Sequence, residues 1–320
     1  MRVAALDIGT NTVLLLIVES QGPPDFRILL DRHAIARIGE GVDHTGIISD
    51  AAFERLRTVL RGHKEEIDKL NVDATIAYAT SAMRDASNSQ KIITSIRSEF
   101  GIVIEIISGS TEAELTYRGA LAGLSLPEAA QNIGVIDIGG GSTEISLGSK
   151  GIFNNGVSIE VGAVRMTERF FNKIPPTRER LNEAVHSIQS LIQEQVQSGS
   201  RIDILIAVAG TPTTLAAMDL NLQQFDRDQI QDYELKMEAV ERLVLEIESL
   251  STDELVKKYP AVNRGRADIL LAGSLILQEA MKALRMQSVI VSTRGLRYGI
   301  AIQELERGFA LPKTNWAIAE

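Results

Sequence analysis

The sequence predicts an α/β protein built from two similar domains, each a sheet sandwiched by helices. Three observations carry this. Short β-rich runs alternate with helix-period stretches along the chain. A motif near the N-terminus recurs 130 residues later, with Asp7 matching Asp137. The length of 320 residues suits about two domains.

The elements follow in order. Val3–Asp7 and Val13–Glu19 read as strands flanking a polar turn. Ala51–Leu70 reads as a helix, with Asp50 available as its cap. Ala74–Tyr78 is a strand, Ser89–Phe100 a helix and Val103–Ile107 a strand. Thr111–Leu121 is a helix with acids in its first turn, where the helix dipole favours them. The second cycle opens with strands Ile133–Asp137 and Ile145–Leu147 around another glycine turn. Ile152–Val157 and Ser158–Val161 stay β-rich, and Arg178–Gln197 is a long helix. The strand Ile202–Val208 leads into helical Thr213–Met218. Met237–Ser249, Arg266–Leu284 and Tyr298–Glu306 are helical, with a strand at Val289–Val291. Pro127 marks the boundary between the cycles, and Trp316 reads as a packing residue for the tail.

Composition excludes several classes. The net charge is −9, so a non-specific nucleic-acid binder is not expected. There is no cysteine, which removes disulfides, thiolate metal sites and cysteine nucleophiles. The longest early apolar run, Val13–Val18, is far short of the ~20 residues of a membrane span. A cytoplasmic protein with no membrane partner is expected. The four histidines are scattered, without metal-ligand spacing.

The repeat is also the main chemical signal. Leu6-Asp7-Ile8-Gly9-Thr10-Asn11-Thr12 parallels Ile136-Asp137-Ile138-Gly139-Gly140-Gly141-Ser142. In each, a strand delivers an aspartate, and glycine lets the backbone approach a ligand closely. Backbone N–H groups in such turns converge on anions. Asp7 and Asp137 beside a phosphate would need a cation between them, and hydrated Mg²⁺ suits oxygen ligands of this kind. A hairpin returns Glu144 towards Asp137 as a second metal-shell residue. Gly210-Thr211, after a strand, is either a third phosphate turn or a structural one. Arg84 either clamps a phosphate or pairs with Asp85. Glu112 either takes a proton from an attacking water or only complements a helix dipole. Arg294 and Arg297 are further polyanion contacts. The basic stretch Arg165, Arg169, Lys173, Arg178 and Arg180 reads as a solvated face.

Together, Leu6–Thr12, Ala79–Arg84, Glu105–Gly109, Val135–Glu144, Ala209–Thr211 and Gly295–Gly299 resemble the exopolyphosphatase / guanosine pentaphosphate phosphohydrolase family. That family lies within the actin-like ATPase and sugar-kinase superfamily, and the likeness covers about residues 3–306. The resemblance implies two ribonuclease-H-like domains, each a mixed sheet flanked by helices, with the active site in an interdomain cleft. The domains would be residues 1–125 with a C-terminal helix at about 300–320, and residues 126–299.

The resemblance also implies Mg²⁺-dependent hydrolysis of a terminal phosphoanhydride, in inorganic polyphosphate or guanosine pentaphosphate. Glu112 would be the catalytic base, with Asp137 and Glu144 associated with the metal. Asn11, Thr12, Arg84, Gly139, Gly140, Gly141, Ser142 and Gly210 would contact phosphate, with Thr211 beside them. Asp7 would act through the metal. A homodimer is compatible with the family. A superfamily kinase and a non-catalytic sensor of these polyanions are the alternatives. Two departures stand out. The family's acid pair followed by Ala-Arg is here Thr111-Glu112-Ala113-Glu114, and the chain stops at Glu320, resembling the short two-domain members.

Overall fold

A computed structural model describes residues 1–23, 25–124, 126–127, 129–196, 201–310 and 317–318. The chain separates into two compact units, Met1–Gly123 with Arg294–Glu320, and Leu124–Thr293. Among the described residues the strands, in chain order, are β1 (Arg2–Ile8), β2 (Thr12–Gly22), β3 (Asp25–Ile35), β4 (Ala74–Ala79), β5 (Ile104–Ile106) and β6 (Asn132–Ile138). They continue as β7 (Thr143–Ser149), β8 (Ile152–Ile159), β9 (Ile204–Val208), β10 (Glu234–Lys236), β11 (Ser288–Val291) and β12 (Ala317–Ile318).

The first unit's sheet has the order β12-β3-β2-β1-β4-β5, the second's β10-β11-β9-β6-β7-β8. In the first, β1–β2 and β2–β3 are antiparallel, and β1–β4 and β4–β5 parallel. In the second, β6–β7 and β7–β8 are antiparallel, and β6–β9 and β9–β11 parallel. Five strands of each sheet thus share one plan, and the sequence repeat is a structural one.

The pattern of β1 explains its apolar run. Ala4, Leu6 and Ile8 pack with Leu56 and Leu60 of the helix Asp50–Lys69 and Ile96 of the helix Ser89–Phe100. Val3 and Ala5 face the other way, onto Leu115 of the helix Gly109–Leu121 and Ile302 and Leu305 of the helix Leu296–Gly308. Both faces of the strand are covered, so alternation disappears. In the second unit the long helix Arg178–Gln195 buries Leu181, Ala184, Ile188 and Ile192.

Several details differ from the sequence reading. Ser49, not Asp50, caps the first long helix, its Oγ accepting from the Ala52 N–H at 3.2 Å. β3 has no counterpart in that reading, because Arg27, Asp31, Arg32 and His33 interrupt its apolar residues; Phe26 is its fully buried anchor. The runs at Ile152–Val157 and Ser158–Val161 form one strand, β8. The helix expected from Arg266 begins at Leu270. A helix Ala163–Phe170 occupies part of the basic stretch read as a solvated face. The C-terminal helix runs Leu296–Gly308, and Trp316 lies outside the described residues. No helix among the described residues is long and apolar enough to cross a membrane.

Candidate functional site

In the first unit, the β1–β2 turn is closed by the Gly9 N–H donating to Thr12 O at 3.0 Å. The carbonyls of this turn are held from behind: Thr10 O accepts from Gly39 N–H, and Asn11 O from the N–H groups of Ala36 and Arg37. Asn11 and Thr12 are both buried, and Asn11 Oδ1 has no hydrogen-bond partner among the described residues. A buried, unsatisfied amide oxygen is costly and is a recognised mark of a site that a ligand or water completes.

Arg84 sits in a short helix, Ser81–Asp85, directly after β4. Its Nη1 donates to Glu112 Oε2 at 2.6 Å and to Ile107 O at 3.1 Å. Its Nη2 is buried without a partner among the described residues, leaving one guanidinium nitrogen for an anion. Glu112 is 7% exposed, in the first turn of the helix Gly109–Leu121, which Ser108 caps by accepting from Thr111 N–H at 3.1 Å. The carboxylate is therefore near a helix N-terminus and against an arginine at once. Glu114 is two residues on, about 200° around the helix, so it faces elsewhere.

The helix bearing Glu112 is fixed by the helix Leu296–Gly308. A Cβ on Gly299 would lie 1.9 Å from Leu115 O, and one on Gly119 would lie 2.1 Å from Gly295 O. The two backbones touch, and only glycine permits that. Arg118 and Glu306 close the contact with a buried ion pair at 2.5 Å.

The structure commits the two late arginines to internal contacts. Arg297 is 8% exposed and bidentate to Asp31 at 2.9 and 3.1 Å, and the Tyr298 hydroxyl donates to the same carboxylate at 2.7 Å. Burial opposes its charge, but Asp31, Tyr298 and Asp7 outweigh burial and hold it above the ordinary arginine range. Asp7 thus already has a cation of the chain in its field. Arg294 donates through Nη1 to Ala122 O and lies over the Tyr298 ring.

In the second unit, Asp137 and Glu144 are directly opposed across β6–β7, so both carboxylates lie on one face of the sheet. Glu144 is 1% exposed, and its Oε1 accepts from Ser142 Oγ at 2.8 Å and Ser158 Oγ at 2.6 Å. The turn closes as in the first unit, with Gly139 N–H donating to Ser142 O at 3.0 Å. The donor set is all oxygen, two facing carboxylates, of which Glu144 is oriented by two serine hydroxyls. No group of three or more His, Asp or Glu gathers among the described residues. A pair of carboxylates fits Mg²⁺, which keeps several waters and takes phosphate oxygens for the rest.

Gly210 and Thr211 open the helix Gly210–Asp219 just beyond β9, whose Val208 pairs with Asp137. A Cβ on Gly210 would collide with the Arg266 guanidinium, 1.1 Å from Nη1. Ala209 has φ 77° and ψ −169°, a region that costs a non-glycine residue about 1–3 kcal/mol. Strain therefore sits at the start of this turn. Arg165, read in the sequence as part of a solvated face, is instead buried, its Nε donating to Gly141 O at 2.7 Å. Sequence reasoning assigns neither Arg165 nor Arg266 to the site. Gly162, three residues before Arg165, is the one local signal for the first, and Arg266 has none.

The chain matches the model of the Ppx/GppA phosphatase family over residues 16–308. It is 31% identical over 323 residues to exopolyphosphatase 2 of Mycobacterium tuberculosis (strain ATCC 25618 / H37Rv), covering 94% of this chain and 98% of that protein. The crystal structure of the Aquifex aeolicus Ppx/GppA family member superposes with a TM-score of 0.80 at 28% identity, covering 96% and 98% of the two chains. An exopolyphosphatase from Cytophaga hutchinsonii ATCC 33406 gives a TM-score of 0.87 at 26% identity, covering 96% and 98%. With sequence and fold in agreement over nearly its whole length, the chain belongs to the Ppx/GppA phosphatase family.

Proposed function

We propose that the protein is an exopolyphosphatase-type phosphohydrolase in the cytoplasm, releasing terminal orthophosphate from inorganic polyphosphate, from guanosine pentaphosphate, or from both. One observation carries the reading: Glu112 is held at 2.6 Å by Arg84, whose other terminal nitrogen is buried and unpartnered among the described residues. A carboxylate oriented by a guanidinium that still has a donor to give is suited to a water attacking a phosphate. The names of the mycobacterial and Cytophaga relatives support the same class.

In this mechanism Glu112 takes a proton from the water as its oxygen bonds in line to the terminal phosphorus. The anhydride P–O bond breaks, and its electron pair leaves with the shortened chain. Arg84 Nη2 and the Asn11 and Thr12 side chains hold phosphate oxygens in the first unit. In the second, the N–H groups of the Gly139–Ser142 turn and the Gly210-Thr211 helix start do so. Such donors, placed before the reaction, stabilise charge without reorganising. Asp137 and Glu144 would hold Mg²⁺, which when bound neutralises phosphate charge.

The test is phosphate release with Mg²⁺ from long polyphosphate, short polyphosphate and guanosine pentaphosphate in parallel, with Glu112→Ala beside each. Release abolished in the variant is expected. No release from any of the three by folded protein would sink the hydrolase and favour a polyanion sensor or a kinase.

A further inference from the structure

The Gly139–Ser142 turn is held by more than its own hairpin. Gly139 O accepts from Ala163 N–H at 2.9 Å, and Gly140 O from Val164 N–H at 2.8 Å and Arg165 N–H at 3.1 Å. Gly141 O accepts from the Arg165 side chain, Nε, at 2.7 Å. All three consecutive carbonyls are therefore drawn to one side, the start of the helix Ala163–Phe170. In a planar trans peptide the N–H points opposite the C=O. The N–H groups of Gly140, Gly141 and Ser142 must then face the other side, as three adjacent donors. That is the geometry of an anion nest. The approach has no slack: a Cβ on Gly162 would lie 2.4 Å from Gly140 O.

The third carbonyl alone depends on a side chain. Arg165 is fixed at both ends, since its Nη2 donates to Glu160 Oε2 at 2.7 Å. A planar guanidinium held at two points is a rigid brace, which a flexible lysine is not. We propose that Arg165 is a positioning residue that, from behind the turn, aims the Ser142 N–H and its two neighbours at the phosphates of the substrate. This rests on the polyphosphate reading above. Arg165 acts on the carbonyl side of the turn, so its contribution comes from geometry more than from attraction of its charge to the anion.

The experiment compares Arg165→Met, Arg165→Lys and Glu160→Gln in the full chain. Binding of tripolyphosphate with Mg²⁺ is measured by calorimetry in a Glu112→Gln background, where turnover is suppressed. KM and kcat are measured with Glu112 intact, at low and high salt. Arg165→Met is expected to weaken binding and raise KM about tenfold, the scale of losing one hydrogen bond to a charged group. Its kcat should fall less, and the KM ratio should persist at high salt. Arg165→Lys should recover only part, and Glu160→Gln should raise KM about two- to fivefold, which reads the brace even where Arg165→Met does not fold. Full recovery by lysine, or a loss that vanishes at high salt, would overturn the proposal in favour of plain charge. Unchanged KM in both Arg165→Met and Glu160→Gln would overturn it too, while the wild type's Glu112-dependent phosphate release left the hydrolase standing. A wild-type protein that neither binds tripolyphosphate nor releases phosphate would overturn both readings.

Discussion

The two glycine hairpins share a backbone and differ in what they hang on it. Each closes with the same bond, Gly9 N–H to Thr12 O and Gly139 N–H to Ser142 O, both 3.0 Å. Each has its carbonyls gripped by the segment that follows the third strand, and in each that segment contains a glycine packed against the turn. A Cβ on Gly39 would lie 2.1 Å from Thr10 Cγ2, much as one on Gly162 would strike Gly140 O. The side chains then part company. Opposite Asp7 stands Leu14; opposite Asp137 stands Glu144. The first turn carries Asn11 and Thr12, where the second has Gly141 and Ser142. The lesson is that a duplicated backbone can be kept while its chemistry is divided. The first unit offers side chains and the Arg84–Glu112 pair; the second offers bare amides and facing carboxylates.

The largest test of that division is Glu112→Gln. Loss of a general base should lower kcat about 10²–10⁴-fold, and the melting temperature should fall as well, because Arg84 loses its charged partner. Retained turnover would reduce the Arg84–Glu112 contact to a structural ion pair.

Next, Glu144→Leu gives the second hairpin the residue of the first. The Mg²⁺ concentration needed for half-maximal phosphate release should rise by at least about 10–100-fold, the scale of losing even an outer-shell partner of a metal ligand. An unaltered Mg²⁺ dependence would mean that the facing carboxylates do not distinguish the two hairpins chemically.

A smaller effect should separate the strands beside them. Ala79 lies within β4, whereas Ala209, beyond β9, has φ 77°. Ala209→Gly relieves strain and should stabilise by about 1 kcal/mol, after glycine's own entropic cost. Ala79→Gly should destabilise by a similar amount. Melting temperatures moving in the same direction for both variants would refute the asymmetry.

The smallest effect is a pH dependence confined to the first hairpin. His63 is buried behind β2, hydrogen-bonded to the Val13 backbone, with Nε2 unpartnered among the described residues. Burial, then the nearby Arg32, pushes it below its ordinary 6.5, against the Val13 bond and Glu66. The unfolded chain therefore binds the proton more readily than the folded one. The stability linked to this group is fully present above pH 6.5 and is lost as pH falls through the depressed value. His63→Leu should flatten the melting temperature between pH 8 and pH 5. An unchanged slope would remove His63 as its source.

Much of this was legible in the residues. The apolar run of β1 and the Asp-Ile-Gly repeat announced two related sheets, because a strand buried on both faces must be apolar throughout and a tight turn needs glycine. Glu112 and Arg84 were visible as charged residues in small polar loops after strands, each with a bland alternative standing beside it. β3 was hidden by its charges. One of them, Asp31, captures Arg297 from 266 residues away, a pairing no local pattern encodes. Arg165 was hidden more thoroughly, since Glu168 and Glu179 dilute the basic run around it and make it look like any solvated surface.

The duplication, the strands that carry it and the residue types at each turn follow from the order of residues alone, since they depend on short-range periodicity and on backbone freedom. Which of the charges are committed elsewhere depends on the folded arrangement. Arg297 went to Asp31, Arg165 to Gly141, and Arg84 to Glu112 with one nitrogen left over. The physical reason is that a buried charge is stable only beside its partner, and partners here come from strands and helices far apart in the chain.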